Sequence, residues 1–167
     1  MKLEDFLTLY VDPGEATGWA AARGQLLLSA GTEKMWDFAD DVYGAVIEGV
    51  GGHGNTIYNP GWLRDEAYEE HLSLPVGRIV CEDFLLYPWE LAAHGMDWNP
   101  VRTARLIGAL TLIARVADIP FVLQGAKIKR QAEAAGAEAF FYRPLHENRH
   151  QNDAIRHYSY FTHTELI

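Results

Sequence analysis

Apolar and polar positions along the chain switch between a strand-like and a helical period. Residues 6–11 form an apolar, strand-like run that stops at Asp12 and the breaker pair Pro13-Gly14. Residues 17–22 and 25–29 read as two more short strands, parted by Arg23-Gly24, so the chain opens as an antiparallel meander. Over 36–50 the period becomes helical, with Phe38, Val42, Val46 and Val50 every fourth residue, and Gly51-Gly52-His53-Gly54 ends the run. Glycine, asparagine, proline and aromatic residues then mix, and 63–72 suits a short acidic helix. Residues 78–84 read as a buried strand in which Ile79, Val80 and Cys81 lead into Glu82-Asp83. A polar-aromatic loop covers 87–98. Asn99 as a cap and Pro100 at the first helical position then open a helix with Leu106, Leu110, Ile113 and Ala117 on one face. Residues 119–123 predict a strand, 127–135 a short helix closed by Gly136, and 151–162 a last helix carrying Ile155, Tyr158 and Phe161. The order β-β-β-α-β-α-β-α-α predicts an α/β fold, a mixed sheet with helices on its faces.

Length and composition narrow the class. A chain of 167 residues with 49% hydrophobic and 22% charged side chains predicts one globular domain spanning 1–167. The longest uncharged, mostly apolar run, 106–114, falls far short of the roughly 20 residues that span a bilayer. Glu4 and Asp5 stand where a signal peptide is basic, and a lone Cys81 excludes an internal disulfide framework. The expectation is a cytoplasmic protein without a membrane partner. The net charge of −9 argues against nucleic-acid binding by the whole surface. It is unevenly spread, however. Residues 1–100 carry 5 basic and 17 acidic side chains, net −12, whereas 101–167 carry 9 and 6, net +3. The charge leaves room for a local basic face, and the second part of the chain is where one could lie.

Acidic residues interrupt apolar contexts at three places. Asp12 ends the first strand, Glu82 and Asp83 end the fourth, and Asp153 opens the last helix three residues after His150. Open α/β sheets build sites at the carboxyl ends of parallel strands. Carboxylates gathered there repel one another unless a cation joins them, and oxygen ligands select hard ions such as Mg²⁺ or Mn²⁺. Strand alternation lets only one of Glu82 and Asp83 face a given side.

Three local patterns carry a family resemblance. Val11-Asp12-Pro13-Gly14-Glu15-Ala16-Thr17-Gly18-Trp19-Ala20 resembles the first motif of the RuvC-like Holliday-junction resolvases, within the RNase H-like superfamily. Ile79-Val80-Cys81-Glu82-Asp83-Phe84 is similar to the second, in which the glutamate is catalytic. His150-Gln151-Asn152-Asp153-Ala154-Ile155-Arg156-His157 resembles the third, in which a helix supplies the last ligands. The likeness runs from residue 6 to about 162 and is nearest to the bacteriophage branch. It implies an RNase H-like five-stranded mixed sheet flanked by helices. It also implies a crossover-junction endodeoxyribonuclease that uses two Mg²⁺ or Mn²⁺ ions, held by Asp12, Glu82, His150 and Asp153, and leaves a 5′-phosphate and a 3′-hydroxyl. His150 would act either as a ligand or as the proton donor to the leaving oxygen. His157, one turn on, reads as a packing or surface residue, and Cys81 as a buried strand residue.

Branched DNA is the implied partner, for which the basic second part supplies phosphate contacts at Arg102, Arg105, Lys127, Lys129, Arg130, Arg149 and Arg156. Lys127 and Lys129 lead this set because they follow a strand end. Phe84, Tyr87 and Trp89 could stack on unpaired bases. A junction has two cuttable strands, so a homodimer is expected, with helix 36–50 and segment 62–74 as candidate dimer faces. Three other functions remain open at this point: a ribonuclease acting on RNA–DNA hybrids, an actin-like or sugar-kinase-like phosphate-binding module, and a DNA-binding module without catalysis.

Overall fold

The computed structural model describes residues 5–48, 75–83 and 99–164. The helix expected at 63–72, Phe84 at the end of the strand expected at 78–84, and the loop expected at 87–98 with Tyr87 and Trp89 lie outside them. Five strands form one sheet in the order β3-β2-β1-β4-β5: β1 (Leu7–Asp12), β2 (Ala16–Arg23), β3 (Leu26–Lys34), β4 (Val76–Asp83) and β5 (Phe121–Gly125). The meander β1-β2-β3 is antiparallel, as the turn residues predict. Strands β1, β4 and β5 run parallel, and their connections pass through helices.

Alternation along β1 and β4 divides the core in two. Leu7, Leu9, Val11, Ile79 and Cys81 face α1 (Met35–Tyr43) and α2 (Asn99–Val116), meeting Phe38, Val42, Leu106 and Leu110. Tyr10, Ala20, Ala22 and Val80 face α4 (Arg149–Thr164), where Ala154, Ile155, Tyr158 and Phe161 cover them. Between β5 and α4 lie a short 3₁₀ turn (Ala126–Ile128) and α3 (Lys129–Ala134).

Several boundaries differ from the expected ones. The segment expected at 25–29 extends as β3 to Lys34, and α1 passes into a π-helical turn, Gly44–Glu48. The fifth strand begins at Phe121 rather than at 119. There the Ile119 N–H bonds back to the Ala114 carbonyl, and Asp118 adopts a left-handed φ of 55°. Residues 117–119 thus close α2 instead of starting the strand, as left-handed caps do. Gly136, at φ 90°, ends α3 as expected. The last helix starts two residues early, which draws His150 into its first turn.

Candidate active site

Parallel pairing sets β1 and β4 side by side, with Tyr10 opposite Val80 and Val11 opposite Cys81. Asp12 and Glu82, near the carboxyl ends of these strands, follow Tyr10 and Val80 by two residues and so emerge on the face covered by α4. Asp83 turns to the opposite face. The β1–β2 turn is closed by the Thr17 hydroxyl, which donates to the Gly14 carbonyl at 2.8 Å. At Gly18 a Cβ atom would overlap the carbonyl group of His150, so the glycine lets the first turn of α4 rest directly on β2. That approach brings His150 and Asp153 over the strand ends.

The three carboxylates converge on one cation, the Lys129 ammonium. Its Nζ lies 2.8 Å from Asp153 Oδ2, 2.9 Å from Glu82 Oε2 and 3.6 Å from Asp12 Oδ1. His150 Nδ1 is 2.8 Å from Asp12 Oδ2. The other oxygen of Asp153 accepts from Arg156 at 2.6 Å, and Arg156 also bonds Glu133 and stacks on Phe141. His157 is fully buried, with Nε2 3.0 Å from Glu82 Oε2 and Nδ1 2.9 Å from Gln124 Oε1.

Burial and mutual repulsion shape the charges. Burial pushes the Asp12 carboxyl up from its ordinary value and the neighbouring Glu82 adds to this, while the bond with His150 works against it. Burial also raises Glu82, but its hydrogen bonds with His157 and Asp12 and the charge of Lys129 overcome that and bring it down to about 2. The bond to Asp12 raises His150. Lys129 is raised too, because its carboxylate partners outweigh the cost of its burial. Burial holds the Cys81 thiol well above its usual range, which leaves it inert.

Hard oxygen donors from three separate elements, with an imidazole beside them, suit a divalent ion chemically. Among the described residues no group of three or more acids, histidines or cysteines is spaced to hold a metal as it stands. The Lys129 ammonium fills the point on which the oxygens converge. It takes the part of a cation, and a metal there requires its side chain to swing aside.

Asp12, Glu82, His150 and Asp153, singled out from the sequence, thus lie together. Lys129, expected beside Lys127 on a phosphate-facing surface, sits inside the carboxylate cluster instead. Arg156, expected to meet phosphate, is engaged with Asp153 and Glu133. Lys127, Arg130 and Arg149 are exposed. Arg102 pairs with Glu15 at 2.9 Å, and Arg105 lies over the Trp36 ring, so both belong to a different cleft. Phe84 and Tyr87 fall outside the described residues. The site includes His157, which reads from sequence as a packing or surface residue. Its signal was the i, i+3, i+7 spacing of His150, Asp153 and His157 on one helix face. No comparable signal separated Lys129 from Lys127.

No family model and no curated protein matches the sequence. Among solved structures, the chain is similar to Thermus thermophilus RuvC in complex with Holliday junction substrate, with a TM-score of 0.54 and 14% identity over 96% of each chain. A second Thermus thermophilus RuvC structure aligns with a TM-score of 0.49 and 15% identity, covering 95% of this chain and 96% of that one. The first likeness is one of fold, the mixed five-stranded sheet between helices that the three motifs implied.

Proposed function

We propose that this chain is a metal-dependent endonuclease that cuts four-way junctions and other branched DNA. The observation that carries this reading is the convergence of Asp12, Glu82 and Asp153 on a single cation at the ends of parallel strands. It gains support from the likeness of fold to a protein solved with a Holliday junction.

Asp12, Glu82 and Asp153 would hold Mg²⁺ or Mn²⁺, with His150 beside them. Two such ions supply an activated water and a stabilised leaving oxygen for phosphodiester hydrolysis. Glu82, kept ionised by its neighbours, stays a permanent acceptor. His150, raised by Asp12, is suited to deliver a proton to the leaving oxygen. Arg156 fixes one oxygen of Asp153 and leaves the other directed into the cluster. Lys129 offsets part of the carboxylate charge until a divalent ion takes that place. Among the described residues no helix is long and apolar enough to cross a membrane. The reading places the protein in the cytoplasm with its DNA, or in the host cytoplasm if it is phage-encoded.

The test is cleavage of synthetic four-way junctions, flaps and forks by the purified protein, with and without Mg²⁺ or Mn²⁺, alongside an RNA–DNA hybrid. Metal-dependent cutting of branched DNA is expected. Asp12→Asn, Glu82→Gln and Asp153→Asn should each lose more than the about 10–100-fold that follows from losing an outer partner of a metal ligand. Asp83→Asn, on the other face of the sheet, should retain most of the activity. Cleavage of the hybrid alone would replace this reading with a ribonuclease.

A further inference from the structure

We propose that His157 is a positioning residue for Glu82, holding its carboxylate from within the protein by a hydrogen bond from Nε2, while Gln124 fixes the ring. What the positioning serves rests on the nuclease reading; the bond itself does not.

The three groups come from three elements. Glu82 and Gln124 are opposite one another in the parallel pairing of β4 with β5, so both side chains leave the sheet on the α4 face. His157 descends onto them from α4 and is excluded from solvent. Its Nε2 lies 3.0 Å from Glu82 Oε2 and its Nδ1 2.9 Å from Gln124 Oε1.

An ionised carboxylate only accepts hydrogen bonds, so Nε2 must carry a hydrogen. A neutral ring then has a bare Nδ1, which needs a donor rather than the oxygen that faces it. Gln124 Nε2 is buried and has no hydrogen-bond partner among the described residues. The two ends of a carboxamide have the same shape, so a half-turn of the Gln124 amide gives its N–H to Nδ1. One rotation pairs the buried amide nitrogen with Nδ1 and leaves the ring with its hydrogen on the nitrogen that faces Glu82.

Two donors meet Glu82 Oε2, and they differ in kind. Lys129 reaches it from the partly open side, 2.9 Å away, in the place that a metal ion would take. His157 reaches it from the closed side and stays when the metal arrives. It therefore sets where the carboxylate points in both states, as outer partners of metal ligands do.

The first measurement is nitrogen NMR on histidine-labelled full-length protein, with the His157 signals assigned by their loss in His157→Gln. A hydrogen on Nε2, a bare Nδ1 and an Nε2 signal that moves in Glu82→Gln are expected. A hydrogen on Nδ1 alone, or signals indifferent to Glu82→Gln, overturns the proposal. The second is Mn²⁺ affinity by calorimetry. His157→Leu should weaken it by about 10-fold or more. His157→Gln, whose amide can donate from near the Nε2 position, should recover most of the loss. If His157→Leu does not fold, Gln124→Met frees the ring and should weaken Mn²⁺ binding by a smaller factor. Affinities equal to wild type in every folded variant overturn the positioning role. A protein that passes these tests but cuts no DNA loses only the nuclease reading. One that cuts junctions with His157 signals indifferent to Glu82 loses only this inference.

Discussion

Lys129 and Glu82 show how a single side chain can decide the state of this site. Three carboxylates at 10–15% side-chain exposure would repel strongly without a cation among them. Lys129→Met removes that cation and should destabilise the metal-free protein by about 1–3 kcal/mol. That corresponds to a melting temperature lower by roughly 3–10 °C in chelator. Mn²⁺ should then raise the melting temperature of the variant more than that of the wild type. An equal rise in both would show that Lys129 and the ion do not share a place. Glu82 adds a pH dependence. Its folded value of about 2 lies below the ordinary 4.5, so its contribution is fully present above pH 4.5 and is lost as pH falls toward 2. Urea midpoints of wild type and Glu82→Gln, measured without metal, should therefore draw together as pH falls below 4.5.

At the scale of elements, the seat of α4 on β2 does most to assemble the site. His150, Asp153 and His157 all ride on this helix, and Gly18 sets how closely it approaches the sheet. Gly18→Ala forces the first turn of α4 away and carries His150 and Asp153 with it. The expected cost is about 1–3 kcal/mol of stability from overpacking. Cleavage should fall well beyond what that loss of folded protein explains. Circular dichroism and cleavage measured on one sample separate the two effects. A variant that melts lower but cuts normally while folded would show that α4 tolerates the shift.

The whole molecule adds charge distribution and assembly. Lys127 and Arg130 are exposed just beyond the carboxyl end of β5, beside the acidic site but outside it. Lys127→Ala with Arg130→Ala should flatten the salt dependence of junction binding, by about 0.9 in log–log slope for each duplex phosphate no longer neutralised. An unchanged slope would place the DNA elsewhere. The described residues of one chain hold one such carboxylate cluster, while a four-way junction presents two strands related by approximate two-fold symmetry. A C₂ homodimer of about 38 kDa, twice the 18.8 kDa chain mass, would supply two matched sites and is the expected assembly. Light scattering with and without junction DNA checks this. A particle of one chain mass that still makes paired cuts would defeat the two-site argument.

The order of elements and the three acids were legible in the sequence because both are local signals. Apolar periodicity separates strand from helix, and an acid that ends an apolar run marks a strand end wherever the strand lies. Alternation by itself also puts Glu82 and Asp83 on opposite faces. The start of β5 was less legible, since residues 119–123 look like a strand until the backbone bond from Ile119 to Ala114 assigns the first of them to the close of α2. Only the tertiary structure decided which lysine enters the cluster and which histidine supports Glu82. Lys127 and Lys129 are chemically identical and two residues apart, and they are distinguished by whether the turn after β5 aims them toward Asp12 and Asp153 or toward solvent. His157 and Glu82 are 75 residues apart in sequence and meet only because the Gly18 seat of α4 on β2 and the parallel pairing of β1 with β4 bring them within 3.0 Å. Periodicity reports which face of its own element a side chain occupies, whereas a hydrogen bond depends on the distance between elements, which packing sets.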